Sequence, residues 1–263
     1  MVGERVITYL FGMIRRGKFS KFLGAIGIGA VLALAGFGGP ADAGENGPTV
    51  VELYTSQGCS SCPPADAFLG DLAQRDDVIA LSFHVDYWDY IGWKDPFASA
   101  SNSNRQRSYA RQFNRSYVYT PQMVIQGVTE VSGSDKSGVL KRVKQVASMP
   151  DVPVKLTLVR NGGLKVEISG ARQPAQASVW LVLYDNVHKT KVKRGENRGR
   201  VIKNYNVVKG LVKIGDWRGE PVTLTVSADD VRRHNSDKCA VFLQSEHAGP
   251  IFGASSIPLV AQR

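Results

Sequence analysis

The sequence predicts an α/β domain over residues 48–149, followed by a small all-β, sandwich-like domain over residues 154–263. Two observations support this division. In the first region, apolar runs of strand length alternate with segments of helical periodicity in the order β-α-β-α-β-β-α. After Met149–Pro153, which has the composition of a linker, only short alternating runs separated by turn residues follow, as in a small antiparallel sandwich.

The elements of the first region follow from local patterns. It begins with the apolar run Val50–Tyr54, and a helix over residues 64–74 then places Phe68 and Leu72 on one face. The last helix is capped by Ser134 or Asp135. Between them we predict a buried strand, a second helix and a β-hairpin, over 78–83, 102–113 and 121–131.

In the second region, the predicted strands are Val154–Arg160, Leu164–Ser169, Ala177–Tyr184, Val222–Ser227 and Cys239–Gln244. A basic cluster between the third and fourth of these strands, Lys189–Arg200, reads as a solvated loop. No catalytic constellation is found in this region.

Residues 1–43 have the pattern of a signal peptide. A basic segment precedes the apolar run Phe22–Phe37, and Ala41-Asp42-Ala43 fits a cleavage site. The alternative is an uncleaved anchor, for which the apolar run is short. We therefore expect a periplasmic or secreted protein with no stable membrane insertion after cleavage, in a compartment that permits disulfides.

The chain of 263 residues has 33 basic and 23 acidic residues. Five of the basic and two of the acidic residues lie in residues 1–43, which leaves 28 and 21 and a net charge of +7. A moderately basic exported protein does not require an acidic partner, so no nucleic-acid partner is expected.

The most informative motif is Cys59-Ser60-Ser61-Cys62, which lies between the first strand and the first helix. The start of a helix offers unpaired N–H groups and a positive dipole end, which stabilise a thiolate. The pattern therefore indicates a redox pair that needs no cofactor. The alternatives are a structural disulfide or half of a zinc site, but zinc would need a second Cys or His pair that the sequence lacks.

The element order, the Cys-x-x-Cys pair at the first helix and Thr120-Pro121 before the third strand together resemble the thioredoxin fold. The resemblance implies that Pro121 is cis and packs against the dithiol. It also implies that Glu52 matches the buried acid of thioredoxins. A carboxyl group buried there would have a raised pKa, suited to moving the proton of the resolving thiol. The alternative is that Glu52 points outward.

The runs Val51–Asp66, His84–Phe97 and Tyr119–Met123 closely resemble a bacterial secreted family catalogued as domain of unknown function 1223 and described as thioredoxin-like. The resemblance extends through Gly195–Asn197 and Tyr205–Val208. It implies an α/β thioredoxin-like domain, and it implies export. It does not name a reaction.

These observations assign roles to the candidate residues. Cys59 is the exposed nucleophile, and Cys62 attacks the mixed disulfide and releases the partner. The strand end that carries His84, Asp86 and Trp88 would form, with Thr120, the wall of the substrate groove. The alternative for His84 is a hydrogen-bonded structural group. Three arginines on the next helix are expected to be surface charges: Arg105, Arg107 and Arg111.

The sequence therefore predicts an exported thiol–disulfide oxidoreductase that acts on protein or small-molecule thiols. Two other classes stay open. Cys59, Cys62 and His84 would suit a copper-binding module, and a non-catalytic binding protein would use the second domain for a partner. Cys239 lies in an apolar run and is expected to be buried and inert, the alternative being a resolving role.

Overall fold

The computed structural model describes residues 47–171 and 176–259. The predicted signal peptide, residues 1–43, lies outside the described residues. Within the described ranges, no helix has the length and apolar character needed to cross a membrane.

The described chain alternates short helices with strands of very different lengths. The helices are α1 (Pro63–Leu72), α2 (Ala100–Gln112), α3 (Lys136–Val146) and α4 (Ala228–Arg232), with a 3-10 turn at Asp89–Ile91. The strands are β1 (Thr49–Thr55), β2 (Val78–His84), β3 (Gln122–Ile125), β4 (Thr129–Ser132), β5 (Val154–Leu158), β6 (Leu164–Ile168), β7 (Ala177–Lys191), β8 (Val201–Trp217), β9 (Val222–Val226), β10 (Lys238–Gln244) and β11 (Ile251–Pro258).

Side-chain caps determine where two of the helices begin, and residues that accept positive φ form the hairpin turn. Asp135 caps α3 by accepting a hydrogen bond from the N–H of Gly138, which confirms one of the two predicted caps. Ser99 caps α2 in the same way. The predicted hairpin turn is also present, with Gln126 and Gly127 both at positive φ between β3 and β4.

Eight strands form one mixed sheet in the order β11-β10-β7-β8-β2-β1-β3-β4. β1 and β2 are parallel, and β2 is also parallel to β8 through the register pair Ser82 and Val207. The other neighbours in this sheet are antiparallel. Strands from both halves of the chain therefore share a single sheet.

The predicted fold class, an α/β thioredoxin-like domain followed by a small all-β domain, is wrong. The described chain is mostly β, with the eight-stranded mixed sheet and a three-stranded sheet in the order β5-β6-β9. The reason is that β8 pairs with β2 on one side and with β7 on the other, so the sheet continues across the expected boundary at Met149–Pro153. Local periodicity carries no information on such distant pairing.

The three-stranded sheet packs on β7 and β10. Its apolar side chains, such as Leu164 and Val166, share a core with Val179 and Leu181 of β7 and with Val241 of β10. This packing covers one face of the C-terminal half of the large sheet.

Side-chain alternation in β1 and β2 gives the large sheet two distinct faces near the Cys pair. Val51, Leu53 and Ala80 pack against α1 and α3, and we call this side the α1 face. Tyr54 and Phe83 lie on the other side with Tyr109 of α2, and we call this side the α2 face. Any residue of β1 or β2 is thereby assigned to one face by its position.

Candidate active site

The Cys pair lies at the junction between β1 and α1. Cys59 and Cys62 form a disulfide, with their Cα atoms 5.5 Å apart. Pro63 opens the helix at a position where a missing N–H breaks no helical hydrogen bond, and Cys62 already has helical backbone angles. The pair therefore lies at the positive end of the α1 dipole, which favours a thiolate over a thiol.

Both cysteine side chains are buried. Cys59 is 1% exposed and Cys62 is 0% exposed, so the expectation that Cys59 is the exposed member of the pair is wrong. The Sγ of Cys59 lies 3.3 Å from the hydroxyl of Ser61 and 3.9 Å from the carbonyl oxygen of Thr120. Ser60 and Ser61 are exposed and form the surface above the disulfide.

The loop before β3 lies beside the disulfide. The Thr120-Pro121 bond is cis, as predicted. Trp88 donates its indole N–H to the hydroxyl of Thr120 at 2.7 Å. The Trp88 side chain also approaches Gly58, where an added Cβ would lie 3.2 Å from the Trp88 Cβ. The structure thus brings three of the predicted site residues, Thr120, Pro121 and Trp88, to residues 56–62 between β1 and α1, which we call the Cys loop.

The turn between β7 and β8, residues 192–200, covers the Cys loop. A carboxylate oxygen of Glu196 accepts a hydrogen bond from the N–H of Ser60 at 3.2 Å. The amide of the buried Asn197 donates to the carbonyl oxygens of Gln57 and Cys59, both at 2.9 Å. The expected solvated loop therefore positions the Cys pair, and the stretch Gly195–Asn197 in the family resemblance was the signal for it.

Glu52 is fully buried, which decides between its two predicted orientations. It accepts hydrogen bonds from the hydroxyls of Tyr54 at 2.9 Å and Tyr109 at 2.5 Å. Arg105 donates two more, at 2.7 and 2.8 Å. Glu52 lies two residues before Tyr54 and therefore on the α2 face, opposite α1. The structure does not bring Glu52 to the disulfide.

Arg105 is not the surface charge that the sequence predicts. Its side chain is 9% exposed and forms an ion pair with Glu52 at 2.7 Å. The guanidinium lies over the rings of Phe83, Tyr109 and Phe242. Burial opposes the charged form, but the Glu52 carboxylate outweighs this effect and the pKa of Arg105 lies above its usual value.

The other two predicted substrate-binding residues do not line an open groove. His84 is fully buried at the end of β2, and its Nδ1 lies 2.7 Å from a carboxylate oxygen of Asp95. Asp86 is half-buried and accepts a short hydrogen bond from the hydroxyl of Ser103 on α2. Only Trp88 and Thr120 of the four lie beside the disulfide.

A buried polar cluster on the α1 face was not predicted. It consists of Thr55, Asp66, His84 and Asn204, and we call it the Asp66 cluster. Thr55 and His84 are register neighbours on β1 and β2, while Asp66 comes from α1 and Asn204 from β8. Five of the nine buried side-chain polar atoms that lack a hydrogen-bond partner in the described residues belong to these four side chains.

The two carboxyl groups next to His84, Asp66 in the cluster and Asp95 outside it, have pKa shifts of opposite sign. Burial raises the pKa of Asp66 from 3.8 to about 7, and the neighbouring His84 offsets only part of this. Burial opposes the charged form of His84, but Asp95 and Asp66 outweigh it and raise the His84 pKa. The pKa of Asp95 is lowered despite its burial, because His84 and two backbone N–H groups favour its carboxylate. Asp66 is therefore the carboxyl group that changes protonation near neutral pH.

One sequence signal would have found Asp66. It follows Cys62 by four residues in a predicted helix, and side chains at that spacing lie on one helix face. The N–H of Asp66 donates to the carbonyl oxygen of Cys62 at 3.0 Å, as in a regular helical turn.

Cys239 lies in β10 and is fully buried, as predicted. Burial raises the pKa of its thiol to about 12, which keeps it protonated and unreactive. Across residues 47–171 and 176–259, no three His, Cys, Asp or Glu side chains are grouped as metal ligands.

The fold and the site define a mixed-sheet protein with a buried Cys-x-x-Cys disulfide at the start of a helix. A family model described as a protein of unknown function (DUF1223) matches residues 50–244, and the chain belongs to this family. The predicted family membership is thereby confirmed.

A solved structure supports the same relationship. The chain is similar to a crystal structure of a protein from Agrobacterium tumefaciens, with 33% identity and a TM-score of 0.75. The similarity covers 84% of this chain and 98% of that protein. Comparison with curated proteins gives no match.

Proposed function

We propose that this protein is an exported thiol–disulfide oxidoreductase that exchanges its Cys59–Cys62 disulfide with protein or small-molecule thiols. The observation that carries the proposal is the position of the disulfide at the N-terminus of α1. A thiolate formed there is stabilised by the helix dipole and by unpaired N–H groups, which makes it a good nucleophile and a good leaving group.

The exchange has two steps. A substrate thiolate attacks the Sγ of Cys59, the Cys59–Cys62 bond breaks, and Cys62 leaves as a thiolate that takes up a proton. A second substrate thiolate then attacks the substrate sulfur of the mixed disulfide and releases Cys59. Two substrate thiols become a disulfide while the cysteine pair gains two electrons and two protons. The reverse sequence reduces a substrate disulfide.

Access to Cys59 is the main requirement of this proposal. Because Cys59 is 1% exposed, an attacking sulfur reaches it only after local displacement of its surroundings. The groups to be displaced are Ser61 and the contact between Ser60 and Glu196. Both lie at the surface, where opening is less costly than in the core.

Export is part of the proposal. The predicted signal peptide would deliver the chain to the periplasm or the exterior, where a dithiol pair meets oxidised and reduced partners. The substrates are then thiols or disulfides of other exported molecules.

A second candidate function is favoured by one observation. Both members of the pair are buried, as expected for a structural disulfide in a non-catalytic binding protein. Such disulfides have reduction potentials below about −300 mV, whereas exchange-active ones lie above that value. The two functions therefore differ in a measurable quantity.

The test is a redox titration of the mature protein in defined glutathione and dithiothreitol buffers, with thiols counted by alkylation and mass spectrometry. We expect reversible formation of the Cys59–Cys62 disulfide at a potential above about −300 mV. A Cys239→Ala variant should titrate identically, while Cys59→Ser and Cys62→Ser should abolish the transition. A pair that stays oxidised far below this potential would reject the enzyme in favour of the structural disulfide.

A further inference from the structure

The Asp66 cluster lies directly behind the resolving cysteine. Cys62 has helical backbone angles, and Asp66 is four residues further along the same helix. Side chains with this spacing lie one above the other, with Cβ atoms about 5–6 Å apart. Cys62 is 0% exposed and Asp66 is 1% exposed, so a proton that leaves Cys62 has no direct route to solvent.

The cluster also holds buried polar atoms that lack a hydrogen bond of regular geometry within the described residues. Among the described residues, neither carboxylate oxygen of Asp66 has a hydrogen bond of regular geometry, and neither has Nε2 of His84. The side chains of Thr55 and Asn204 lie close enough to Asp66 to favour its charged form and lower its pKa, but burial outweighs them. Buried polar atoms of this kind destabilise a fold unless they serve a purpose, and they concentrate at reactive sites. The Asp66 carboxylate can therefore take up a proton without breaking a hydrogen bond of regular geometry.

The charged groups around Asp66 are fixed by the fold. His84 faces it from β2, and Asp95 lies behind His84 with its carboxylate 2.7 Å from Nδ1. The neighbours from β1 and β8 are the neutral Thr55 and Asn204. Asp95 is itself held by the N–H of Gln57, at 2.7 Å, in the Cys loop. A chain of contacts therefore joins Asp66, His84 and Asp95 to the backbone of the loop that carries Cys59.

We infer that Asp66 is the proton acceptor for Cys62 when this thiol closes the disulfide, and that His84 is a positioning residue that holds the charge on Asp66. The inference rests on the proposed function and assigns a residue to its resolving step. The Asp66 carboxylate takes the proton of the Cys62 thiol. The sulfur electron pair attacks the Sγ of Cys59 in the mixed disulfide, the bond to the substrate sulfur breaks, and the substrate leaves as a thiolate.

The pH range agrees with this role. The pKa of Asp66 is raised to about 7 by burial, so the group is ionised above that pH and protonated below it. A proton acceptor works best when its pKa lies near the working pH. The resolving step should therefore become faster as the pH rises through about 7.

The experiment follows the two steps separately in a Cys239→Ala background. Reduced protein is mixed with dithionitrobenzoate, an aromatic disulfide whose thiolate product is coloured. The first equivalent of product reports the mixed disulfide on Cys59, and the second reports the attack by Cys62. We expect Asp66→Asn to slow the second phase roughly a hundred-fold above neutral pH, the lower end of what a positioned acceptor contributes, and to remove the inflection near pH 7.

Two further variants make the result specific. Asp71→Asn removes an exposed carboxylate from the same helix and should leave both phases unchanged. His84→Gln keeps a donor for Asp95 but removes the imidazole that lowers the pKa of Asp66, so the inflection should move to higher pH. Difference infrared spectroscopy should show a protonated carboxyl band that titrates near pH 7 in the parent protein and is absent in Asp66→Asn.

The outcomes separate the inference from the proposed function. If the parent protein releases no second equivalent, the oxidoreductase proposal fails. If it releases both equivalents and Asp66→Asn resolves at the parental rate with the same pH profile, only the role of Asp66 is overturned. A His84→Gln variant with an unmoved inflection would overturn the positioning role of His84.

Discussion

Two buried carboxylates, Glu52 and Asp66, lie on opposite faces of the same sheet and have different surroundings. Glu52 is 0% exposed and Asp66 is 1% exposed. Glu52 accepts four hydrogen bonds, two of them from Arg105. Asp66 accepts no hydrogen bond of regular geometry in the described structure and has only the weaker polar contacts of Thr55 and Asn204, although it is equally remote from solvent.

The difference shows that burial alone does not define a reactive acid. On the α2 face, a guanidinium and two phenol groups compensate the loss of water around Glu52, and the result is a fixed structural ion pair. On the α1 face, His84, Thr55 and Asn204 compensate only part of the loss of water around Asp66, and burial raises its pKa to about 7. The sequence criteria favoured Glu52 as the proton carrier, whereas the surroundings favour Asp66.

The largest effect is expected on the α2 face. Arg105→Met leaves the Glu52 carboxylate buried without its counter-charge, and the free energy of unfolding should fall by about 3–5 kcal/mol. Urea denaturation measures this. Arg107→Met changes an exposed arginine on the same helix and should alter stability by less than about 0.5 kcal/mol.

Glu52→Gln extends this comparison to the exchange reaction. It should also destabilise the fold, because Arg105 then lacks its partner, but the second phase of dithionitrobenzoate release should keep its rate and pH profile. If Glu52→Gln slowed the resolving step while Asp66→Asn left it at the parental rate, the roles of the two carboxylates would be reversed.

The next effect concerns the pH dependence of stability. Between pH 4 and 7 the folded protein holds a proton on Asp66 that the unfolded chain releases, because the folded pKa is about 7 and the ordinary value is 3.8. Stability should therefore fall as the pH rises through this window, by at most about 4 kcal/mol from this group. Asp66→Asn should remove that loss, so the variant should gain on the parent as the pH rises. Equal pH dependence in the two proteins would show that Asp66 keeps an ordinary pKa.

The smallest effect is expected at residues 192–200, the turn between β7 and β8 that covers the Cys loop. Asn197→Ala removes the side-chain donor to the carbonyl oxygens of Gln57 and Cys59, and within the described chain the carbonyl oxygen of Cys59 keeps only the N–H of Cys62. This should lower stability by about 1–3 kcal/mol. After reduction, Cys59 should also react faster with iodoacetamide, because the turn between β7 and β8 is displaced more easily. Asn104→Ala, at an exposed position of α2, is the matched control. A variant with parental alkylation rates would show that the turn does not limit access.

Local patterns were sufficient for much of the region around the Cys pair. The junction of β1 and α1, the cap at Asp135, the turn at Gln126 and the buried Cys239 all follow from spacing and residue type within a few positions. Each depends on neighbours in sequence, which is the range over which propensity and periodicity operate.

The remaining features depend on contacts between distant segments. β8 is interrupted by lysine, asparagine and glycine residues and was not predicted as a strand, yet it joins the two halves of the sheet. Arg105 was read as a surface charge because a buried arginine and an exposed one look alike in sequence, and only the partner Glu52 on β1 distinguishes them. The four-residue spacing from Cys62 places Asp66 near the pair, but the burial that raises its pKa comes from distant segments, β1, β2 and β8.

The position of β8 has a consequence for the order in which the chain matures. The side chain of Gln57 in the Cys loop donates to Asn204 at a separation of 147 residues, and Asn197 reaches the same loop from nearly as far. During synthesis the cysteines emerge long before these partners do, and closing such a long loop is slow. Once the chain reaches a compartment that permits disulfides, the sulfurs are thus accessible to oxidants until the C-terminal half pairs with β2 and encloses them.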